Sequence, residues 1–249
     1  MNSSLYHSGK DRNKSVESYL YASDKRRIVD LLSKMGLLAA SALRNALDAV
    51  ITADVSLAGA VVKGDDAVNA VEEEIDLECL RAIAMRQPVR DELRFIFAAL
   101  KTITDLERVG DESVNIAQWV IKLNSCLRRP LGPLLVDMGD IAEAMLRDAL
   151  GAFKTSNGDI SAEICRRDEQ LDRMYSEAFN TFTGLMASDG TKDVNVVRAL
   201  TGQMWIARHL ERIGDHVTNI AERVYFMDKG ERMARSTEEA AERHLVPSA

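Results

Sequence analysis

One segment of the chain occurs twice, and this repeat constrains the fold more than any other feature. Residues 105–117 and 209–221 align at an offset of 104 positions, and eight of the thirteen aligned residues are identical. The identities include an acid, a second acid four residues on, and an Asn four beyond that, which are Glu107, Asp111 and Asn115 in the first copy. Side chains four residues apart lie on one face of a helix. The repeat therefore predicts two equivalent helices, one in each half.

The periodicity of the apolar residues predicts an all-α protein. They recur at three- and four-residue steps from about residue 24 to residue 228, without the alternation typical of strands. Breaks at Gln87-Pro88, Arg128–Pro133 and Asn157-Gly158 leave three long helices per half, which we interpret as two pseudo-symmetric antiparallel three-helix bundles. Asp54 and Asp159 are the predicted caps of the helices that follow them. The predicted organisation is a flexible N-terminal arm (1–22), a first bundle (23–128), a linker (129–133), a second bundle (134–230) and a polar C-terminal tail (231–249).

The composition argues against several classes of protein. Of the 249 residues, 46% are apolar and only 4 are Pro, which is typical of a folded helical chain. The net charge of −7 argues against binding to nucleic acid. The longest apolar stretch, residues 36–43, is too short to span a bilayer, and the polar first 20 residues lack the apolar region of a secretory signal. We therefore expect a cytoplasmic protein without a transmembrane segment.

The repeat helices each carry an acidic stripe that continues an apolar one. On a helical projection, Glu107 and Asp111 continue the face begun by Leu93 and Phe97, which we interpret as facing a partner helix, and the last helix repeats this arrangement. Carboxylates on a partly buried face repel one another and lose hydration. They therefore need cations or hydrogen-bond donors to offset the cost.

A metal ion is one way to offset this charge. Arg108 and Arg212 neighbour the acids in sequence, but they point about 100° away from them on the helix. Ligands that are all oxygens favour a hard cation or a carboxylate-rich iron or manganese site. The candidate ligands, including pairs on the preceding helices, are Glu107, Asp111, Asp65 and Asn69 in the first half and Glu211, Asp215, Asp168 and Asp172 in the second. Candidate supporting residues are Asn115, Asn219, Glu72 and Glu222.

The same spacing also fits a polar seam without metal, because acid pairs four residues apart are common on solvated helix faces. Repetition of the whole arrangement favours the metal site. His216 lies about 100° off the stripe, so we expect it to be exposed or to make a contact between helices, and not to bind a metal. His209 replaces Asp105 of the first copy, so it is not part of the shared arrangement. We expect Trp119 and Trp205 to serve in packing. A glycine repeated beside the second acid, at Gly110 and Gly214, predicts close approach of another helix or of an ion's ligands.

The repeated motif resembles the PhoU family, the phosphate-uptake regulatory proteins. The resemblance is carried by Leu210–Glu222 (LERIGDHVTNIAE), by its copy starting at Leu106, and by Gly64–Asn69 (GDDAVN) with the acids Glu72 and Glu73. It extends from about residue 25 to residue 228. It implies two three-helix bundles related by pseudo-symmetry.

The resemblance also implies metal clusters at the acid pairs. The family's pattern of two acids four residues apart corresponds to Glu107/Asp111, Glu211/Asp215 and Asp168/Asp172. The pair Asp65/Asn69 departs from this pattern, because Asn is a neutral and weaker ligand. The implied metal is iron or a divalent ion such as Zn, Mn or Mg.

The function implied by the resemblance is that of a regulatory adaptor. It would link the ATPase subunit of a phosphate ABC transporter to a phosphate-sensor histidine kinase at the inner face of the membrane. It would restrain phosphate-starvation genes when phosphate is plentiful, and a homo-oligomer such as a homodimer is compatible with this role.

Two other classes of function remain as alternatives. One is a carboxylate-bridged, metal-dependent helical-bundle enzyme, and the other is a passive helical scaffold. Helical-bundle enzymes of this kind carry Glu-x-x-His on two helices, but none of the four His residues has an acid three positions before it. We therefore expect no catalytic residues.

Overall fold

A computed structural model describes residues 5–123, 133–188 and 193–233, with side chains from residue 21 onward. Within these ranges the chain is helical and contains no strand, which confirms the predicted all-α class. The helices are α1 (Leu5–Thr52), α2 (Val55–Gly64), α3 (Asp66–Arg86), α4 (Asp91–Leu123), α5 (Pro133–Thr155), α6 (Ser161–Ala187) and α7 (Val194–Lys229), with a short 3₁₀ turn at Gly158–Ile160. None of the helices in these ranges is long and apolar enough to cross a lipid bilayer.

The two halves of the chain pack against each other along two helix pairs. In the first half α1, α4 and the α2–α3 pair pack together, and in the second half α5, α6 and α7 do so. Between the halves, α4 packs along α7 and α1 packs on α5, and one apolar core runs through both halves. Trp119 stacks on Trp205 and Phe97 meets Phe226 edge-on, so α4 and α7 run antiparallel. The predicted packing role of the two tryptophans is confirmed.

The contact between α1 and α5 is built twice from the same elements. A Cβ atom added to Gly36 would lie 2.5 Å from Leu150 Cδ2, and one added to Gly139 would lie 2.7 Å from Leu47 Cδ2. Both the glycines and the leucines are 103 positions apart. Each leucine therefore fills the space left by the glycine of the opposite half. This reciprocal contact relates the two halves by a pseudo-two-fold axis, as the repeat predicts.

Helix ends fall where the local sequence predicts them. The Asp54 carboxylate accepts hydrogen bonds from two backbone N–H groups at the start of α2, which confirms the predicted cap. α3 ends immediately before Gln87, whose φ of 48° is left-handed and which precedes Pro88. α5 begins at Pro133, and Pro suits the first turn of a helix because no N–H partner is needed there.

Three details differ from the prediction. The second helix is interrupted at Asp65, where the Val68 N–H bonds to the Asp65 carbonyl three residues back and tightens the turn after Gly64. α1 already begins at Leu5, inside the predicted arm, because charged residues are compatible with a helix and no proline interrupts this stretch. Asn157, and not the predicted Asp159, is the cap, because its side chain accepts a hydrogen bond from the Asp159 N–H in the 3₁₀ turn that leads into α6. Most of the predicted linker and tail, residues 129–132 and 234–249, lies outside the described residues.

Candidate metal centres

The first group of acids, called here the first cluster (Asp65, Glu72, Glu107 and Asp111), lies where α4 packs on α2 and α3. Burial raises the pKa of Asp65, and repulsion from Asp111 adds to the rise. Burial also raises the pKa of Glu107, with repulsion from Asp111 and Asp65. The structure therefore brings predicted ligands from two parts of the first half together.

Glu72 has a larger part in this cluster than the supporting role predicted for it. Burial raises its pKa, and the charges of Glu107 and Asp111 contribute to the rise. Asn69 is exposed, and its amide lowers the pKa of Asp65 as a hydrogen-bond donor. Since Asn69 carries no charge, Glu72 supplies the fourth carboxylate, close to one helical turn further on.

The second cluster consists of Asp168 and Asp172 on α6 with Glu211 and Asp215 on α7. Burial raises the pKa of Asp168 to about 7, and repulsion from the other three acids adds to the rise. Burial also raises the pKa values of Asp172 and Glu211. Asp168 Oδ1 and Glu211 Oε2 are buried without a hydrogen-bond partner. Oxygens left in this state are costly, and a bound cation would offset that cost.

Arginines offset part of the negative charge of both clusters. Arg108 lies 3.5 Å from Glu107 Oε2 and 3.2 Å from Asp111 Oδ2, measured from its Nε and one terminal nitrogen. Arg208, one turn before Glu211, pairs with that residue. The prediction that Arg108 points away from the acids is wrong, because its long side chain bends back over the helix surface.

Acid–histidine pairs cross the seam between α4 and α7. His209 Nδ1 lies 2.6 Å from Glu112 Oε2, and Arg212 lies 2.9 Å from the other Glu112 oxygen. Burial alone would raise the pKa of Glu112, but the hydrogen bond to His209 and the charge of Arg212 lower it below the usual range. His216 Nδ1 lies 3.2 Å from Asp105 Oδ1. The predicted contact of His216 between helices is confirmed.

The pseudo-two-fold axis relates the two seam pairs to each other, a relation that was not predicted from the sequence. Asp105 and His209 occupy the same place in the two copies of the repeat, and so do Glu112 and His216. Each acid of the first copy therefore meets a histidine of the second copy. A signal was available, because acid-to-histidine replacements seven residues apart are two of the five differences between the aligned segments.

The two repeated asparagines hydrogen-bond acids of this seam, and the metal-supporting role predicted for them stays a prediction. Asn219 donates a hydrogen bond of 3.1 Å to Asp105 Oδ1, and Asn115 hydrogen-bonds Glu112. The reason is their angle on the helix, which places them beside the packed face. Glu222 is half-buried on α7, and its supporting role stays a prediction.

The apolar residues that precede the acids on this face of α4 are also more exposed to solvent than predicted. Leu93 and Phe97 are 47% and 46% exposed, so this face does not pack fully on a neighbouring helix. It lies at the edge of the bundle, where Phe97 contacts Phe226 of α7. The acids of α4 therefore stand near the molecular surface, within reach of an ion from solvent.

The donor set of both clusters fits a hard divalent cation or carboxylate-bound iron. Each cluster supplies carboxylates from two sides, and such oxygen ligands suit Mg²⁺, Mn²⁺ and iron, while Zn²⁺ also accepts them. Among the described residues, no three His, Cys, Asp or Glu side chains already form a group that would hold a metal ion. Binding would therefore draw the carboxylates inward, and the partnerless oxygens of Asp168 and Glu211 have no hydrogen bond to give up.

Comparisons with known proteins give the same result for both halves of the chain. The family model of the PhoU domain matches twice, over residues 32–120 and 135–224. A phosphate-specific transport system accessory protein PhoU homolog from Clostridium acetobutylicum is 33% identical over 215 residues, covering 86% of this chain and 96% of the relative. The homolog of the same name from Pseudomonas aeruginosa is 36% identical over 200 residues, covering 80% and 81%.

Solved structures are similar over the same part of the chain. The crystal structure of PhoU from Pseudomonas aeruginosa has a TM-score of 0.79 and 33% identity, covering 85% of this chain and 100% of that chain. The phosphate transport system regulatory protein PhoU from Streptococcus pneumoniae has a TM-score of 0.77 and 28% identity, covering 86% and 99%. Two matches of one family model account for the repeat at an offset of about 104 residues.

Proposed function

The chain belongs to the PhoU family, and on this basis we propose that it is a metal-binding regulatory adaptor of phosphate uptake and signalling. The observation that carries the proposal is the double match of the family model, which spans both acidic clusters. The relatives are named accessory proteins of phosphate-specific transport systems. We propose the same system for this chain, in the cytoplasm and at the inner face of the membrane.

The metal belongs to the two clusters in this proposal. Asp65, Glu72, Glu107 and Asp111 hold one site, and Asp168, Asp172, Glu211 and Asp215 hold the other. The bound ion, iron or Zn, Mn or Mg, supplies positive charge that offsets the repulsion between buried carboxylates. The residues of the chain orient the ion, because each cluster joins α4 or α7 to the preceding helix. Metal thereby stiffens the outer surface of each bundle, which is the surface offered to partners.

The partners we propose are the ATPase subunit of a phosphate ABC transporter and a phosphate-sensor histidine kinase. The adaptor carries the state of the transporter to the kinase and restrains the phosphate-starvation response when phosphate is plentiful. A homodimer is compatible with this role.

We propose that the protein acts by binding and has no turnover of its own. His209 and His216 both face carboxylates across the α4–α7 seam, whereas helical-bundle di-iron enzymes use Glu-x-x-His ligands. The relatives are named for an accessory role.

Deletion of the gene tests this function. We expect high expression of phosphate-starvation genes in phosphate-rich medium, restored to low expression by the wild-type chain. The Glu211→Ala/Asp215→Ala variant should restore repression only in part, while Glu177→Ala, an exposed acid of α6 outside the cluster, should restore it fully. Expression is read from a phosphate-starvation reporter. Normal repression in the deletion strain, or a robust metal-dependent oxidase activity of the pure protein, contradicts the proposal.

A further inference from the structure

Gly214 lies where the second cluster comes closest to the backbone of α7. A Cβ atom added at Gly214 would stand 2.6 Å from Asp168 Oδ1 and 2.6 Å from Leu171 Cδ2, both closer than side chains tolerate. Glycine weakens a helix interior relative to alanine. Helix formation therefore does not explain a glycine in the middle of α7, whereas the close packing of Asp168 and Leu171 against this position does.

The equivalent glycine of the first half is not under the same constraint. A Cβ atom at Gly110 would lie 3.7 Å from Asp65 Oδ1 and 3.7 Å from Val68 Cγ1, which are ordinary van der Waals distances. The two positions are 104 residues apart in the repeat. The chain thus offers a matched pair, with one glycine that an alanine can replace without displacing any neighbour and one that it cannot.

We propose that Gly214 is a positioning residue of the second cluster, because the missing side chain admits the Asp168 carboxylate against α7 beside Glu211 and Asp215, and that Gly110 has no such role in the first. This inference rests on the proposed metal binding. Asp168 Oδ1, the oxygen nearest to Gly214, is also one of the two partnerless buried oxygens of the cluster. The glycine therefore determines where an otherwise unbonded ligand oxygen stands.

An alanine at 214 has two opposite effects. It favours the helical state of α7, which raises thermal stability. It also brings the new Cβ against Leu171, which is fully buried and yields only at some cost in stability, and against the Asp168 carboxylate, which moves away because it ends a flexible side chain. Loss of the Asp168 oxygen from the cluster weakens metal binding without unfolding the protein, which no general loss of stability would reproduce.

The test measures Mn²⁺ binding to full-length, metal-free protein by the loss of the electron paramagnetic resonance signal of free Mn²⁺. Helicity and melting temperature are recorded on the same samples. We expect Gly214→Ala to lose the Mn²⁺ bound by the second cluster, with affinity there reduced at least tenfold. It should remain helical with a melting temperature close to that of wild type, because the gain in helix propensity opposes the cost of the Leu171 contact. Gly110→Ala should keep wild-type Mn²⁺ binding and melt slightly later. Wild-type Mn²⁺ binding by Gly214→Ala overturns the inference.

Two further variants separate this inference from the proposed function. If Glu211→Ala/Asp215→Ala binds as much Mn²⁺ as wild type, the metal assignment itself is wrong. If that variant loses Mn²⁺ but Gly214→Ala does not, only the role of Gly214 is wrong. In the Asp168→Ala background, Gly214→Ala should have no further effect on Mn²⁺ binding. If Gly214→Ala folds poorly because of the Leu171 contact, adding Leu171→Ala should restore its folding but not its Mn²⁺ binding, and recovery of wild-type Mn²⁺ binding in that double variant also overturns the inference.

Discussion

The two halves of the molecule keep the same acids on α4 and α7 but surround them differently. In the first cluster all four carboxylates are half-buried, and Glu107 is 23% exposed. In the second, Asp168 and Glu211 form an inner pair, with Glu211 only 12% exposed, while Asp172 and Asp215 are exposed. Only the inner pair has partnerless buried oxygens among the cluster residues. The repeat thus keeps the acids of α4 and α7, and the helix that faces them makes the two clusters unequal.

The difference begins with two positions on the preceding helices. Where the second half has Asp172, the first has Asn69, and where the first has Glu72, the second has Tyr175. Each cluster thus has four carboxylates, but one of them lies about one helical turn further along the preceding helix in the first half than in the second. In the second half, Tyr175 instead lies under the guanidinium of Arg208, 5.7 Å from the ring centre. The first site is therefore spread along its helix, and the second is compact.

The largest effect on stability is expected at the seam between the halves, where the two acid–histidine pairs differ in burial. Glu112 is 2% exposed, so His209→Ala leaves its carboxylate with Arg212 and Asn115 but without its buried partner across the seam, and lowers the free energy of unfolding by about 2–3 kcal/mol. The partly exposed pair Asp105–His216 should matter less, and His216→Ala should cost below about 1 kcal/mol. Urea unfolding monitored by circular dichroism measures both. Equal costs would show that the two pairs do not differ as their burial suggests.

The second effect is a pH dependence that belongs to the second cluster. Because the pKa of Asp168 is raised to about 7 in the folded state, the folded protein holds a proton that the unfolded chain has lost. Stability from this group is therefore lost as pH rises from about 4 to 7. At pH 8 the neutral variant Asp168→Asn should be more stable than wild type by about 1–2 kcal/mol, after allowance for solvent screening.

This difference should vanish near pH 4, and it should shrink at pH 8 when Mn²⁺ is added to the wild-type protein. Thermal unfolding of metal-free samples across this pH range is the measurement. Asp65→Asn provides the control in the first cluster, where the rise in pKa is smaller. A gap between wild type and Asp168→Asn that stays constant with pH would contradict the assignment to Asp168.

The smallest effect is expected on restoring the missing acid of the first half. Asn69→Asp adds a carboxylate four residues after Asp65, which should lower the stability of the metal-free protein by about 0.5 kcal/mol through repulsion. The same charge should strengthen Mn²⁺ binding at the first cluster roughly fivefold, since a unit charge about 8 Å from a divalent ion in water contributes about 1 kcal/mol. Calorimetric titration of Mn²⁺ measures the change. Unchanged binding would mean that position 69 lies outside the site.

Much of the fold followed from patterns that the sequence carries locally. Helical periodicity, the Asp54 cap and the break before Pro88 depend on neighbouring residues, and the structure confirms all three. The internal repeat likewise predicted that two helices bear equivalent acids. The features that the sequence did not predict depend on contacts between residues of different helices.

Two residues illustrate why these features escaped prediction. The spacing of four residues selected Asp65 and Asn69 as the candidate pair, so Glu72, three residues further on, was predicted only in a supporting role, although it lies among the acids of α4. His209 looked like an unmatched replacement because its partner, Glu112, is 97 residues away on an antiparallel helix. Only the register between α4 and α7 brings the pair together, and that register is set by packing across the two halves.

The reciprocal contact of α1 and α5 has a consequence for how such a chain arose. Each half carries a glycine that leaves a gap on the helix surface and a leucine that fills the gap of the other half. These residues are Gly36 and Leu47 in the first half and Gly139 and Leu150 in the second. A surface with both features is complementary to a copy of itself, which is the condition for an isologous two-fold dimer. The contact between the halves thus has the arrangement of an isologous dimer interface, with both subunits in one polypeptide chain. Joining them makes the assembly independent of concentration and lets each subunit diverge, as the two unequal clusters have done.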